Sequence, residues 1–174
     1  MKYPKLNKFD KMETPKEAID SIISFLPKNL IYWECCYGEG YLANHLIKEG
    51  LDVIGNKDMD CLKEQPLKWD FLITNPPFSN NKDFIKRAIE LKKPFALLIR
   101  LEHLGGKKAF ELLKDFNFQI IIPKKRVNYI TPKMKKGIKV GGSQFHSIWL
   151  TYKLNLPKQI NYIEESKLDL EENK

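Results

Sequence analysis

A chain of 174 residues that is 43% hydrophobic suits one domain with a real core and leaves little room for a second. No stretch approaches the roughly 18 consecutive apolar residues of a membrane span, and the opening MKYPKLNKFDKMETP lacks the apolar centre of a signal peptide, so an intracellular, cytoplasmic protein is expected. The formal charge of +8 favours a polyanionic partner only weakly, because many basic proteins are merely soluble.

Thr14, Pro15 and Glu17 read as an N-cap, a first-turn proline and the acid of a capping box, opening a helix that Pro27 closes. Ala18, Ile19, Ile22, Ile23 and Leu26 give it one apolar face. An apolar run over residues 30–33 precedes Gly38 and Gly40, and Leu42, Ala43, Leu46 and Ile47 follow at helical spacing, which spells strand, glycine turn and helix. Residues 51–55, 71–74 and 95–99 read as further strands, with helical patterns over 84–91 and 104–113. Later strands are expected at 118–122 and 147–152, the latter with Trp149 and Tyr152 in the core. The alternation implies an α/β domain over residues 1–163, with a mostly parallel sheet and helices on both faces. Residues 130–142 form the only linker-like stretch, and the polar, acidic residues 164–174 read as a mobile tail.

Charge is distributed unevenly. Residues 116–163 contain no Asp or Glu, yet hold Lys124, Lys125, Arg126, Lys133, Lys135, Lys136, Lys139, Lys153 and Lys158. A solvated face competes with a phosphate-binding surface as the reading of this run. Cys35, Cys36 and Cys61 show no metal-ligand spacing and read as reduced thiols, so no metal is expected. His45, His103 and His146 fall on separate elements, with no triad or metal set among them, and each reads as structural. His146 has the best functional prospect of the three, although a surface position is the simpler reading.

Two segments carry chemistry. In Trp33-Glu34-Cys35-Cys36-Tyr37-Gly38-Glu39-Gly40, a strand ends on an acid and two glycines allow close backbone approach before a helix begins. A lone G-x-G is weak, and neither a full dinucleotide fingerprint nor a P-loop is present. Glu34 at the strand tip favours an adenosine-type ligand with a positively charged end, the alternative being an acid that satisfies a helix dipole. Asp58 or Asp60, after the next strand, can hold ribose hydroxyls.

Asn75-Pro76-Pro77-Phe78 follows the apolar strand 71–74, beyond a strand's carboxyl end where α/β sheets bind ligands. The prolines remove two amide donors and hold the backbone extended, leaving carbonyls free. An adenine amino group is a poor nucleophile because its lone pair is delocalised; the Asn75 oxygen and Pro76 carbonyl can accept its two hydrogens and redirect the lone pair. Phe78 can stack on the base. The bland alternative is a turn with Phe78 in the core.

Together with Glu13-Thr14-Pro15 and Gly141-Gly142-Ser143-Gln144-Phe145-His146-Ser147-Ile148-Trp149, these segments resemble the amino-group methyltransferases of the class I S-adenosylmethionine-dependent fold. The likeness is strongest to compact phage-type adenine-N6 DNA methyltransferases and spans residues 14–154. It implies a single Rossmann-like domain with an antiparallel C-terminal strand. S-adenosylmethionine would be held by Thr14, Pro15, Glu34, Cys35, Gly38, Gly40, Asp58 and Asp60, and Asn75, Pro76, Pro77 and Phe78 would be catalytic. Asn56 and Lys57 intervene where the family usually carries its acid, so the roles of Asp58 and Asp60 can exchange. Cys35 stands where proline often follows the glutamate. Residues 101–108 and Arg126 match positions on the substrate side.

The resemblance thus implies adenine-N6 methylation of DNA, with the base flipped or single-stranded. Adenine-N6 methylation of RNA, methylation of a protein glutamine amide, and a silent nucleic-acid-binding subunit are the alternatives. Lys124, Lys125, Arg126, Lys133, Lys135, Lys136 and Lys139 would contact phosphates, which position without reading sequence. The short loop 130–142 leaves room for a protein partner that supplies target recognition.

Overall fold

The computed structural model describes Asp10 and residues 12–163; residues 1–9, residue 11 and the acidic tail at 164–174 lie outside the described residues. In chain order the elements are α1 (Lys16–Ile23), β1 (Ile31–Glu34), α2 (Tyr41–Lys48), β2 (Asp52–Gly55), β3 (Phe71–Thr74), α3 (Asn81–Glu90), β4 (Phe95–Arg100), α4 (Lys107–Leu113), β5 (Gln119–Pro123), β6 (Ser147–Tyr152) and β7 (Ile160–Ile163). The strands form one sheet ordered β2-β1-β3-β4-β6-β5-β7. β2, β1, β3 and β4 run parallel, β6 is antiparallel to β4 and β5, and β7 returns parallel to β5.

Near-continuous apolar strands arise because both faces of the sheet are covered. Tyr32, Phe71, Ile73, Ala96, Leu98 and Trp149 share a core with α1 and α2, whereas Trp33, Leu72, Phe95, Leu97, Ile99 and Ile148 share one with α3 and α4. Trp149 fixes α1 through polar contacts as well: its indole N–H donates to the Ala18 carbonyl at 2.9 Å and the Ser21 hydroxyl at 3.2 Å. Three residues on, Tyr152 points to the opposite face and packs on Phe95 and Phe116. Residues 56–70 cross from β2 to β3 through turns alone. No described helix is long and apolar enough to cross a membrane.

The expected capping box at Thr14 does not form. Pro15 itself is the N-cap of α1, with extended φ −76° and ψ 161° and no side-chain cap. The residue before a proline is held extended, and Glu13 exchanges backbone hydrogen bonds of 2.9 and 3.1 Å with Ile130 as an isolated antiparallel bridge. Thr14 therefore belongs to an extended strap rather than to the helix start. The helix also ends at Ile23, short of Pro27, because the Phe25 and Leu26 amides bond back to Ile22 and Ile23 in a tighter turn.

β7 has no counterpart among the expected strands. Its inward position is Asn161, whose amide donates to the Ile120 and Lys158 carbonyls at 3.2 and 2.7 Å, while the Tyr162 ring faces out. A buried polar residue beside an exposed aromatic inverts the pattern by which a strand is recognised.

Candidate active site

In the sheet order, β1 and β3 are neighbours whose connections depart to opposite sides, which makes a crevice at their carboxyl ends. Glu34 ends β1, Gly55 ends β2 and Thr74 ends β3, so the segments that follow them meet around one cleft of about 730 Å³. Thr14, Glu34, Cys35, Gly38, Asp60, Asn75, Pro76, Pro77 and Phe78 all line it. Pro15, Gly40 and Asp58 do not. Pro15 and Gly40 are the N-caps of α1 and α2, and Asp58 is exposed.

Glu34 is 1% exposed. Its Oε1 accepts from the Cys36 amide at 2.9 Å and from the Thr74 hydroxyl at 2.5 Å. Burial pushes its carboxyl up to about 8, and the two hydrogen bonds offset only part of that rise. The glycine turn that follows leaves no room for side chains at its two glycines. Gly40 adopts φ +81°, and a Cβ there would sit 2.9 Å from the Tyr37 ring, while one on Gly38 would come within 3.0 Å of a Glu13 carboxylate oxygen.

Asn75 sits at the mouth of β3 with its Oδ1 buried and without a hydrogen-bond partner. The neighbouring turn is held from behind by Asn81, a residue the sequence did not single out. Its Nδ2 donates to the Pro77 carbonyl at 2.8 Å and lies 3.5 Å from the Pro76 carbonyl, so the latter is left almost unengaged. The Asn81 Oδ1 therefore accepts from His103 Nδ1 at 2.7 Å, which sets the histidine tautomer. Burial, reinforced by the charge of Arg100, holds His103 below its ordinary value. His103 thus supports the tetrapeptide.

Phe78 is buried, and its ring meets Tyr129 and Phe145 edge-on at 5.2 and 5.3 Å. The Arg100 guanidinium lies 4.6 Å from the Phe78 centroid and 3.9 Å from that of Phe145. The Phe78 ring is in the core, as one of the two sequence readings expects, and it also lines the cleft. Phe145 comes from the Gly141–Trp149 segment, and its ring brings that stretch against the tetrapeptide. His146 beside it is half-buried, not on the surface: its Nδ1 is enclosed and unpaired, and its carbonyl accepts from the Leu101 amide at 2.9 Å.

After β2, the Asn56 side chain accepts from the Asp58 amide at 2.8 Å, and Asn56, Lys57, Met59 and Asp60 reach the cleft. Asp60 is paired with Lys63 at 2.6 Å, which holds its carboxyl below the usual range. Asp60 thus lines the cleft and Asp58 does not. Cys61 follows, and its thiol donates to the Cys35 carbonyl. Sequence spacing alone gave no reason to join residues 35 and 61; the parallel pairing of β1 and β2, with Glu34 opposite Gly55, does so.

The basic residues divide. Lys124, Lys133, Lys136 and Lys139 are exposed, and Arg126 donates to the Ser143 carbonyl at 3.2 Å. Lys125 is exposed at the end of β5. Lys135 instead reaches back to the glycine turn, 2.6 Å from Glu39 and 3.5 Å from Glu13, with its ammonium 5.0 Å from the Tyr41 ring centroid. The basic loop is thereby fastened to the rim of the cleft.

Neither a protein-family model nor a curated protein matches the chain. Among solved structures, it is similar to a Pyrococcus horikoshii protein provisionally assigned as an RNA methyltransferase, with TM-score 0.56 and 12% identity over 86% of this chain and 88% of that one. A dimethyladenosine transferase from Plasmodium falciparum gives TM-score 0.49 and 14% identity, over 80% of this chain and 62% of the other. A TehB-like SAM-dependent methyltransferase from Corynebacterium glutamicum gives 0.47 and 10%, over 78% and 85%. The fold is that of the Rossmann-like class I methyltransferases, with the antiparallel β6 expected of it.

Proposed function

We propose that this chain transfers the methyl group of S-adenosylmethionine to N6 of an adenine in nucleic acid, with DNA as the favoured substrate. The observation that carries the proposal is the Asn75 Oδ1, a buried acceptor with no partner at the edge of the cleft, beside the nearly free Pro76 carbonyl. A buried unsatisfied acceptor costs roughly 1–3 kcal/mol. Its retention fits a group that waits for a donor brought by substrate.

The cleft suits the cofactor. Its volume falls in the range of small-molecule sites. Glu34 is a buried carboxyl short of a positive partner, which a ligand ammonium can supply. Asp60 offers a carboxylate for ribose hydroxyls, and Thr14 and Gly38 also line the cleft. When bound, S-adenosylmethionine supplies an electrophilic methyl on a sulfonium. Asn75 Oδ1 and the Pro76 carbonyl accept the two N6 hydrogens, so that the lone pair turns toward the methyl carbon. As the amino nitrogen takes up the methyl, the positive charge arising on it would be stabilised by both oxygens until its proton is lost to solvent. Phe78 meets the base with the part of its ring that lines the cleft.

In this reading the sheet and its helices form a methyltransferase domain, and residues 130–142 form its phosphate-contacting loop. A protein partner supplies sequence recognition. The test is transfer of labelled methyl to duplex DNA, single-stranded DNA, RNA and a protein extract, followed by nucleoside analysis. N6-methyladenine in DNA is the expected product. The same product confined to RNA moves the substrate to RNA, and cofactor binding without transfer to any substrate makes the chain a silent subunit.

A further inference from the structure

We propose that Cys35, Cys36 and Cys61 form a binding site for a thiophilic d10 metal ion, of the class of Zn²⁺ and Cd²⁺, in the wall of the cleft. The three sulfur atoms lie within 4.8 Å of one another, and those of Cys35 and Cys36 are 3.9 Å apart. Thiolates bound to one tetrahedral ion at about 2.3 Å stand roughly 3.8 Å from each other, so one pair already has that spacing and the third needs to close by only about 1 Å. Among the described residues this is the one cluster of three or more such donors.

The cluster is assembled by the fold rather than by local sequence. Cys35 and Cys36 leave β1 and Cys61 lies in the turn after β2, while Arg87 of α3 donates to the Cys61 carbonyl at 3.2 Å and to the Glu64 carbonyl at 3.3 Å. The turn that carries Cys61 is thus tethered from behind. Cys35 and Cys61 are buried and Cys36 is half-buried, yet all three line the cleft. A bound ion would have three protein ligands and a fourth position open to the cleft, the arrangement of an accessible zinc site. Binding forms three metal–sulfur bonds, and the three thiol protons leave to buffer.

The site does not depend on the methyltransferase reading, and its test does not use activity. Reduced, chelator-treated protein is titrated with Cd²⁺ while the ultraviolet thiolate-to-metal charge-transfer band is followed. The expected result is saturation at one ion per chain, with Cys61→Ser and Cys36→Ser each weakening binding by about 100-fold or more. Both variants are checked for native circular dichroism, and either one that folds suffices. No saturable band, a band needing more than one chain per ion, or a band unchanged in a folded variant overturns the proposal.

Discussion

The hydroxyl of Thr74, the last residue of β3, donates a 2.5 Å hydrogen bond to Oε1 of Glu34, the last residue of β1. That contact closes the carboxyl ends of the two strands between which the cleft opens. It also joins the acid of the glycine turn to the residue directly before Asn75. The placement of Glu34 and of the tetrapeptide is therefore a single structural decision.

The first prediction concerns pH. The Glu34 carboxyl lies at about 8 in the folded protein and at 4.5 when unperturbed, so the unfolded state ionises first as pH rises. Its contribution to stability is complete below about 4.5 and declines as pH approaches 8, by an amount on the order of a few kcal/mol. The melting temperature of the free protein should fall between about pH 5 and about pH 8, and Glu34→Gln should flatten the profile. Parallel profiles for the two proteins would show that Glu34 titrates normally.

Asn75→Ala should abolish methyl transfer while leaving the free protein as stable as before, or more stable by about 1 kcal/mol, because it removes an unsatisfied buried acceptor. Thermal unfolding and the labelled-methyl assay, run on the same preparation, check both halves. A large loss of stability would mean that Asn75 is a structural residue.

Phe78→Ala should cost about 3–5 kcal/mol, since the ring is shared by Tyr129, Phe145 and Arg100. Phe78→Leu should retain most of the fold and lose the aromatic face. Denaturant unfolding separates the two, and comparable stability of the alanine variant and wild type refutes the packing role.

Lys133, Lys136 and Lys139 are exposed, whereas the Lys135 ammonium is paired with Glu39 and Glu13. Neutralising each of the first three should reduce the slope of log affinity for duplex DNA against log salt by about 0.9. Lys135→Gln should leave the slope nearly unchanged and instead weaken cofactor binding by loosening the rim. Filter binding across a salt series, with cofactor titration alongside, distinguishes these outcomes.

The sheet was legible where both faces of a strand are apolar: residues 71–74 and 147–152 fall where the sequence placed strands, because burial leaves little choice of period. Asn161 hid β7 by occupying an inward position with a polar group. At the cleft, the motif-bearing segments were visible because glycines and paired prolines constrain the backbone locally. Thr14 was misread as a cap because its neighbour Glu13 is held extended by a bridge to Ile130, more than a hundred residues away. Asn81, Tyr129 and the approach of Cys61 to Cys35 likewise depend on contacts between distant segments. For Asn81, the only local signal was its position three residues after Phe78.

The bridge between Glu13 and Ile130 joins a residue that lines the cleft to the first residue of the basic loop. Any energy it carries is reciprocal: if a filled cleft steadies the loop, a polyanion on the loop steadies the occupant of the cleft by the same factor. A loaded molecule would then dwell longer on a strand than an empty one, and spent molecules would be the first to let go.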